Sequence, residues 1–366
     1  MTRPAPAKPG RTNRVSACQL RACVSPPVCR TLQRAGSRQC RTEAQRYATP
    51  SCRGRLQAMR ICSLLPSATE ILFALGLGGE VVGVTHECDF PAEARSKRIL
   101  VRSRLAHAAT AAEIDRQVRD FLSRGESLYS VDVEALRVIE PDLIITQDLC
   151  QVCAASPDDL AAALVSLPRR PRVLSLNPRS LADVWRDIIV VGEATGRADQ
   201  AHELVIDLKR RVAAVERATA GVSARPRVVC LEWLDPLYVA GHWVPEMVAI
   251  AGGNDVLGQP GERAFRVSWE QILAAQADVV LVMPCGYGLE QGTAEFARTP
   301  LPRGWEDLPA AQQRRILAVD ASSYFSRPGP RLSTGVEILA QAFHPQCAPV
   351  AAPHDALCAV AGGVRC

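Results

Sequence analysis

One hydrophobic and polar pattern occurs twice in this chain, 136 positions apart. Val133-Glu134-Ala135-Leu136-Arg137-Val138-Ile139-Glu140-Pro141-Asp142-Leu143-Ile144-Ile145 is matched by Trp269-Glu270-Gln271-Ile272-Leu273-Ala274-Ala275-Gln276-Ala277-Asp278-Val279-Val280-Leu281. In each copy an acidic residue, Glu134 or Glu270, opens a short amphipathic stretch, an Asp follows, and a continuous apolar run closes the unit. Such a run is what a strand buried on both faces of a parallel sheet requires. The duplication predicts two similar lobes with a cleft between them, the usual place for a ligand.

Around the first copy the pattern alternates strand and helix. Strands are expected over 60–65, 81–85, 143–146 and 172–176, and helices over 67–75, 133–139 and 157–167. Residues 181–220 are helical in character apart from an interruption around Gly192 to Gly196. The alternation resumes with strands over 227–231 and 316–320, helices over 245–251 and 333–343, and between them the second copy of the repeat over 269–282, an amphipathic helix followed by an apolar strand. The fold class this implies is α/β, two Rossmann-like lobes joined by a long rigid α-helix. The expected organisation is a lobe over 59–180, a linker helix over 181–224 and a lobe over 225–345, with 1–58 and 346–366 read as disordered.

Charge divides the chain in the same way. Residues 1–58 carry twelve basic residues against one acid, Glu43, a net of +11, whereas the remaining 31 basic and 37 acidic residues leave the rest at −6. A mildly acidic folded part argues against a nucleic-acid partner. No segment approaches the roughly 18 apolar residues of a membrane span, and 1–58 lacks the apolar core of a secretory signal. A reducing, cytoplasmic location is therefore expected. A periplasmic location stays open if the true N-terminus carries an export signal, and an organelle if the Arg-rich leader is a transit peptide. Of the fourteen Cys, only Cys62, Cys88, Cys150, Cys153, Cys230 and Cys285 fall in the predicted core.

In open α/β sheets ligands bind beyond the carboxyl ends of the strands. That rule selects the loops at Pro66 to Glu70, His86 to Phe90, Gln147 to Cys153, Glu232 to Pro236, Gly241 to Glu246, Pro284 to Gly288 and Ser322 to Arg327, where polar, sulfur-bearing and aromatic side chains concentrate.

Pro66-Ser67-Ala68-Thr69-Glu70, Val82-Gly83-Val84 with Asp89-Phe90-Pro91, the paired repeats and Ser326-Arg327-Pro328-Gly329-Pro330-Arg331 together resemble the substrate-binding proteins of cobalamin and iron-siderophore ABC importers, over nearly all of 59–345. The segments His86-Glu87-Cys88-Asp89, Gln147-Asp148-Leu149-Cys150 and Gly241 to Glu246 are most similar to a branch known as cobalamin-binding proteins. Glu87 and Gln147 depart from the transported-cobalamin pattern, in which aromatics commonly stand at these places. The resemblance implies two lobes on a rigid helix, a shallow cleft for a bulky metal chelate, no catalysis and no required cofactor. It further implies an ABC permease as partner, docked by one glutamate per lobe, here Glu134 and Glu270.

The residues expected to hold a cobalamin-like corrinoid or other metal chelate are His86, Glu87, Gln147, Asp148, Trp233, His242, Trp243, Tyr324 and Arg327. Imidazole is a good metal ligand, flat Trp and Tyr faces suit a tetrapyrrole, and Arg grips carboxylates or phosphates with two N–H groups. Tyr287 and Phe325 belong to the same scarce aromatic set. Cys150 and Cys153 form a Cys-x-x-Cys spacing that, with His86, could bind a soft metal or cycle as a dithiol. Two rival readings follow: a thiol-dependent enzyme using Cys150 or Cys88 with His86, and a cytosolic metal sensor or chaperone using His86, Cys88, Cys150 and Cys153. Ser67 and Glu70 have the Ser-x-x-Glu spacing of a helix capping box. Glu134 and Glu270 equally suit the first turn of a helix, where negative charge is favoured.

Overall fold

The structure is a computed structural model that describes residues 58–106, 110–147 and 157–360. The expectation of disorder over 1–58 lies, apart from Ala58, outside these residues, as do Asp148, Cys150 and Cys153.

The first lobe runs β1 (Ile61–Ser63), α1 (Pro66–Ala74), β2 (Val81–Thr85), β3 (Arg98–Ser103), α2 (Ala111–Ser123), β4 (Tyr129–Val131), α3 (Val133–Ile139), β5 (Leu143–Gln147), α4 (Pro157–Val165) and β6 (Arg172–Leu176). Its six strands are ordered β4-β3-β2-β1-β5-β6, parallel except for β4, which pairs antiparallel to β3 at the edge. The helices α5 (Leu181–Ala194) and α6 (Ala198–Thr219) follow. The second lobe runs β7 (Arg227–Leu234), β8 (Leu237–Val239), α7 (Val244–Ile250), β9 (Asn254–Asp255), β10 (Phe265–Arg266), α8 (Trp269–Ala275), β11 (Val279–Val282), α9 (Leu289–Arg298), α10 (Pro309–Gln312), β12 (Ile316–Val319), α11 (Ala321–Tyr324), α12 (Leu332–Phe343) and β13 (Leu357–Ala359). Its strands are ordered β10-β8-β7-β11-β12-β13, with β9 beside β7.

The sequence repeat is a structural repeat. Helices α3 and α8 are capped by Asp132 and Ser268, whose side chains accept from the third helical N–H, and both end on a left-handed residue, Glu140 and Gln276, each with φ of 46°. The Asp that follows does the same work in each lobe. Asp142 accepts from the Arg60 N–H that starts β1 (2.9 Å), and Asp278 accepts from the Arg227 N–H that starts β7 (2.8 Å). The apolar runs behind them, β5 and β11, are wholly buried central strands.

The linker is a helical hairpin. Gly196, at φ 70°, turns the chain between α5 and α6, and a Cβ on Gly192 would overlap Ala201, so the two helices need glycine there to approach closely. Helix α6 has 22 residues and is about 33 Å long at 1.5 Å per residue. It is pinned to α12 by Arg211, which donates to both carboxylate oxygens of Glu337 (2.9 and 2.6 Å) and to Thr334 Oγ1 (2.8 Å). One apolar cluster continues from Ile61 and Ile71 of the first lobe through Ile188 and Val205 of the hairpin to Met247 and Leu339 of the second. A close-packed core shared in this way resists relative movement of the lobes.

The segment after Pro345, read from its composition as loose, needs correcting. Ala348 and Ala352 pack on the shared core, and β13 pairs antiparallel with β12, closing the second sheet at that edge. An uncovered β12 would present unpaired backbone groups. Among the described residues no helix is long and apolar enough to cross a membrane.

Candidate functional site

The strand tips of the two sheets are joined by Arg327, which follows β12 and α11. Its Nη1 donates to Asp89 Oδ1 at 2.5 Å and lies 3.5 Å from Glu70 Oε1, and its Nη2 donates to the Glu87 carbonyl at 3.1 Å. Glu70 is in α1, beyond β1, and Glu87 and Asp89 follow β2, so residues from three strand tips of opposite lobes meet here. Arg331 completes the joint, giving Glu70 two bonds, from Nε at 2.9 Å and from Nη2 at 2.6 Å. Its guanidinium also lies 4.2 Å from the Phe90 ring centre and 5.7 Å from that of Tyr324. Burial pushes the Glu70 carboxyl up, opposed by the bonds and charge of Arg331 and the charge of Arg327. Burial also works against ionised Asp89, but the Arg327 bond and charge hold it below the ordinary carboxylate value. Beside the joint, Phe73, Ala74, Phe90, Pro91 and Pro330 wall an open cavity of about 440 Å³.

This geometry overturns the capping-box reading of Ser67 and Glu70. Pro66 starts α1 after Leu65, no side chain caps it, and Glu70 is spent on Arg331.

His86 is exposed at the tip of β2, with Nδ1 3.3 Å from the Val101 carbonyl oxygen and Nε2 3.9 Å from Glu87 Oε1. Glu87 is exposed, whereas Gln147, the last residue of β5, is buried. On the second lobe the tips of β7 and β11 bring Trp233 and Tyr287 together edge to face, ring centres 5.6 Å apart. Both rings are half-buried. Trp233 Nε1 donates to the Asp235 carbonyl at 3.2 Å, and Gly286 N donates to Ser326 Oγ at 3.2 Å, so these loops brace one another. Tyr324 is half-buried, its hydroxyl pushed up by burial.

The loop at Gly241 to Glu246 follows the return strand β8. Strand β8 runs antiparallel to β7, with Leu237 opposite Leu234 and Val239 opposite Leu231, so the chain after it returns down the sheet. Ala240 N donates to the Cys230 carbonyl, one residue below the level of Leu231, which stands opposite Val282 at the end of β11. Trp243 is 5% exposed, packs in the shared core and donates its indole N–H to the Phe325 carbonyl at 2.8 Å. Phe325 is buried beside it. His242 lies against Trp243 with φ of 51°, and its Nε2 is buried without a hydrogen-bond partner. Burial, then the charges of Arg263 and Arg179, lower its pKa, so the imidazole is neutral at pH 7. Beside them Glu246 Oε2 accepts from the first N–H of α5 at 2.9 Å, joining this loop to the first lobe's side of the hairpin.

Among the described residues no group of three His, Cys, Asp or Glu is placed to hold a metal ion. Cys88 is buried between Thr69 and Thr85, and burial pushes its thiol up. A thiolate nucleophile needs the opposite shift. Glu134 is exposed and pairs with Arg137 at 2.9 Å; Glu270 is exposed, and a hydrogen bond from Ser268 lowers its pKa.

Sequence reasoning missed Glu70 and Arg331 as the fastening between the lobes, and left Tyr287 out of the ligand set despite its partner Trp233. The four-residue spacing of Arg327 and Arg331 was a signal for the first, but it named no partner. A second crossing, from the N–H of Ala111 to Glu295 Oε1 at 2.8 Å, had no signal in the sequence.

Two α/β lobes on a helical hairpin, with strand tips facing across a groove, define a solute-binding protein of the two-lobed kind. Residues 61–322 match the family described as Periplasmic binding protein, and the chain belongs to that family. It is 27% identical over 293 residues to a Bacillus subtilis (strain 168) protein named "Uncharacterized ABC transporter substrate-binding lipoprotein YvrC", covering 78% of this chain and 80% of that one. It is 24% identical over 304 residues to the "Vitamin B12-binding protein" of Vibrio cholerae serotype O1, covering 80% and 91%. Among solved structures, the "Periplasmic heme-binding protein RhuT from Roseiflexus sp. RS-1 in apo form" is similar with a TM-score of 0.58 and 28% identity, over 79% of this chain and 98% of that chain. The protein is thus a non-catalytic substrate-binding protein of the ABC-importer kind, and nothing supports the thiol-enzyme reading. The cytoplasmic expectation is overturned as well. Relatives named as a lipoprotein and as periplasmic point to a place outside the cytoplasm.

Proposed function

We propose that this protein binds a cobalamin-like corrinoid, or another metal chelate of tetrapyrrole size, in the groove between its lobes and delivers it to an ABC permease. The observation that carries the reading is the facing of strand tips across the Arg327 joint, with the half-buried Trp233 and Tyr287 pair on one side and exposed His86 and Glu87 on the other. Flat rings of this kind offer an apolar wall to a macrocycle, at about 25 cal/mol per Å² of apolar surface removed from water, before ordering costs. Exposed His86 is the proposed imidazole for a metal centre, through Nε2, which lies 3.9 Å from Glu87 Oε1, and Tyr324 borders the joint. Arg327, engaged by three groups of the first lobe, supports the groove wall. The relative named for vitamin B12 and the structure named for heme both fit a flat macrocycle. The chelate is cargo, and no resident cofactor is invoked.

Glu134 and Glu270 open equivalent helices of the two repeats and are both exposed. They are the proposed contacts for basic pockets of the permease.

Titration of the full chain with hydroxocobalamin, cobinamide and hemin, followed by visible absorption, tests the reading. Saturable binding of at least one, weakened about tenfold or more by Trp233→Ala with the melting temperature kept, supports it. Absence of saturable binding by all three overturns it.

A further inference from the structure

The loop that leaves β2 is held from two directions. Inside the first lobe, Cys88 N donates to the Thr85 carbonyl at 3.2 Å and Glu87 N donates to Thr85 Oγ1 at 3.2 Å. The Cys88 sulfur lies 3.1 Å from Thr69 Oγ1 and 3.3 Å from Thr85 Oγ1. These bonds secure the inner side of the turn. The outer side is secured from the opposite lobe, because the Glu87 carbonyl and the Asp89 carboxylate are both bonded by Arg327.

Arg327 is itself held. Its side chain is 12% exposed and lies beside Glu70, which Arg331 grips with two bonds. Close to this joint, Gly329 brings the chain against α1, where a Cβ would stand 3.6 Å from both Glu70 Oε2 and the Ser67 carbonyl oxygen. One planar guanidinium therefore aims two N–H groups at two different groups of one loop, which an ammonium on a flexible stem does not reproduce.

We infer that Arg327 is a positioning residue for the groove. It sets the conformation of His86 to Asp89 from the other lobe, so this part of the groove wall takes its shape only where the lobes are joined. The two halves of the site then form as one unit, and the groove is preorganised before ligand arrives. The inference deepens the proposed function and rests on it only for the statement that this wall faces ligand.

Amide hydrogen exchange on the full chain without ligand tests it, comparing the unchanged protein with Arg327→Lys, Arg327→Ala and Asp89→Asn. The expected result is exchange at Glu87 and Cys88 faster by about tenfold or more in both Arg327 variants, with the amides of β5 and β11 unchanged. The lysine variant does not rescue, because it lacks the second donor. Asp89→Asn gives a smaller acceleration at the same amides and adds nothing on the Arg327→Ala background. Unchanged exchange at Glu87 and Cys88, acceleration spread equally over β5 and β11, or rescue by lysine would each overturn the inference. If Arg327→Ala does not fold, Asp89→Asn decides alone: local acceleration supports the inference and none overturns it. Because no ligand is present, a negative result here is separable from failure of every chelate to bind.

Discussion

Trp243 donates its indole N–H to the carbonyl oxygen of Phe325 across 2.8 Å, tying the start of α7 to the end of α11 inside the core that both lobes share. A residue so placed acts on stability before it acts on ligand. Trp243→Ala is expected to cost about 3–5 kcal/mol, from the cavity it leaves and the carbonyl it orphans. Trp243→Phe should cost about 1–3 kcal/mol, since most of the packing survives. Urea unfolding measures both, and a variant of unchanged stability but weakened chelate binding would show that Trp243 serves the ligand rather than the core.

The Glu70 and Arg331 pair spans 261 positions of sequence and lies almost wholly out of solvent. Removing one member of a buried ion pair leaves an uncompensated charge, so Glu70→Ala should destabilise by about 3–5 kcal/mol. Glu70→Gln, which keeps an acceptor, should cost less. Denaturation midpoints test this, and a loss below about 1 kcal/mol for the alanine variant would mean that the joint is not fastened here.

Burial, with the Asp183 charge adding and the Arg186 charge opposing, raises the Asp187 carboxyl to about 7. One of its oxygens is buried without a partner. The native state therefore keeps a proton that the unfolded chain gives up above pH 4 or so. Stability contributed by this group is lost as pH rises from about 4 to about 7 and is level beyond. The group stays partly solvated, so the expected span is about 1–2 kcal/mol rather than the full shift. Asp187→Asn should remove that slope and raise stability at pH 8; the difference between the two stability curves isolates it from His242, whose lowered pKa acts in the opposite direction.

Gly335 in α12 lies against the Tyr324 carbonyl oxygen, which an added Cβ would overlap, with Met247 and Phe325 close by. Gly335→Ala is expected to push α12 off α11 and to cost about 1–3 kcal/mol despite the better helix propensity of alanine. Equal or greater stability in a thermal melt would show that α12 moves freely.

How far the chain could be read in advance differs by element. Helix α3 runs over Val133–Ile139 and strand β6 over Arg172–Leu176, the ranges that periodicity predicts, because local alternation and local caps decide them. Strand β3 and helix α2 were overlooked, although Thr110-Ala111-Ala112-Glu113 carries a helix-start spacing and the Thr110 side chain does accept from the Glu113 N–H. Strand β13 was invisible because three residues, Leu357 to Ala359, form a strand only by pairing with β12. The groove was read less well than the fold. His86 and Trp233 lie at strand tips as expected, whereas the short return strand β8 before His242 and Trp243, antiparallel to β7, carried no signal of its own.

The sequence by itself determined the paired halves, the helical run between them and the loops that carry polar and aromatic side chains, since periods of 2 and 3.6 and caps a few residues away are local properties. Only the tertiary structure decided which of those side chains remain for a ligand. Packing took Trp243 into the shared core, and partners more than two hundred positions distant claimed Glu70, Asp89, Arg327 and Arg331. No local pattern records a partner that far along the chain, because the contact exists only once both sheets are built and packed.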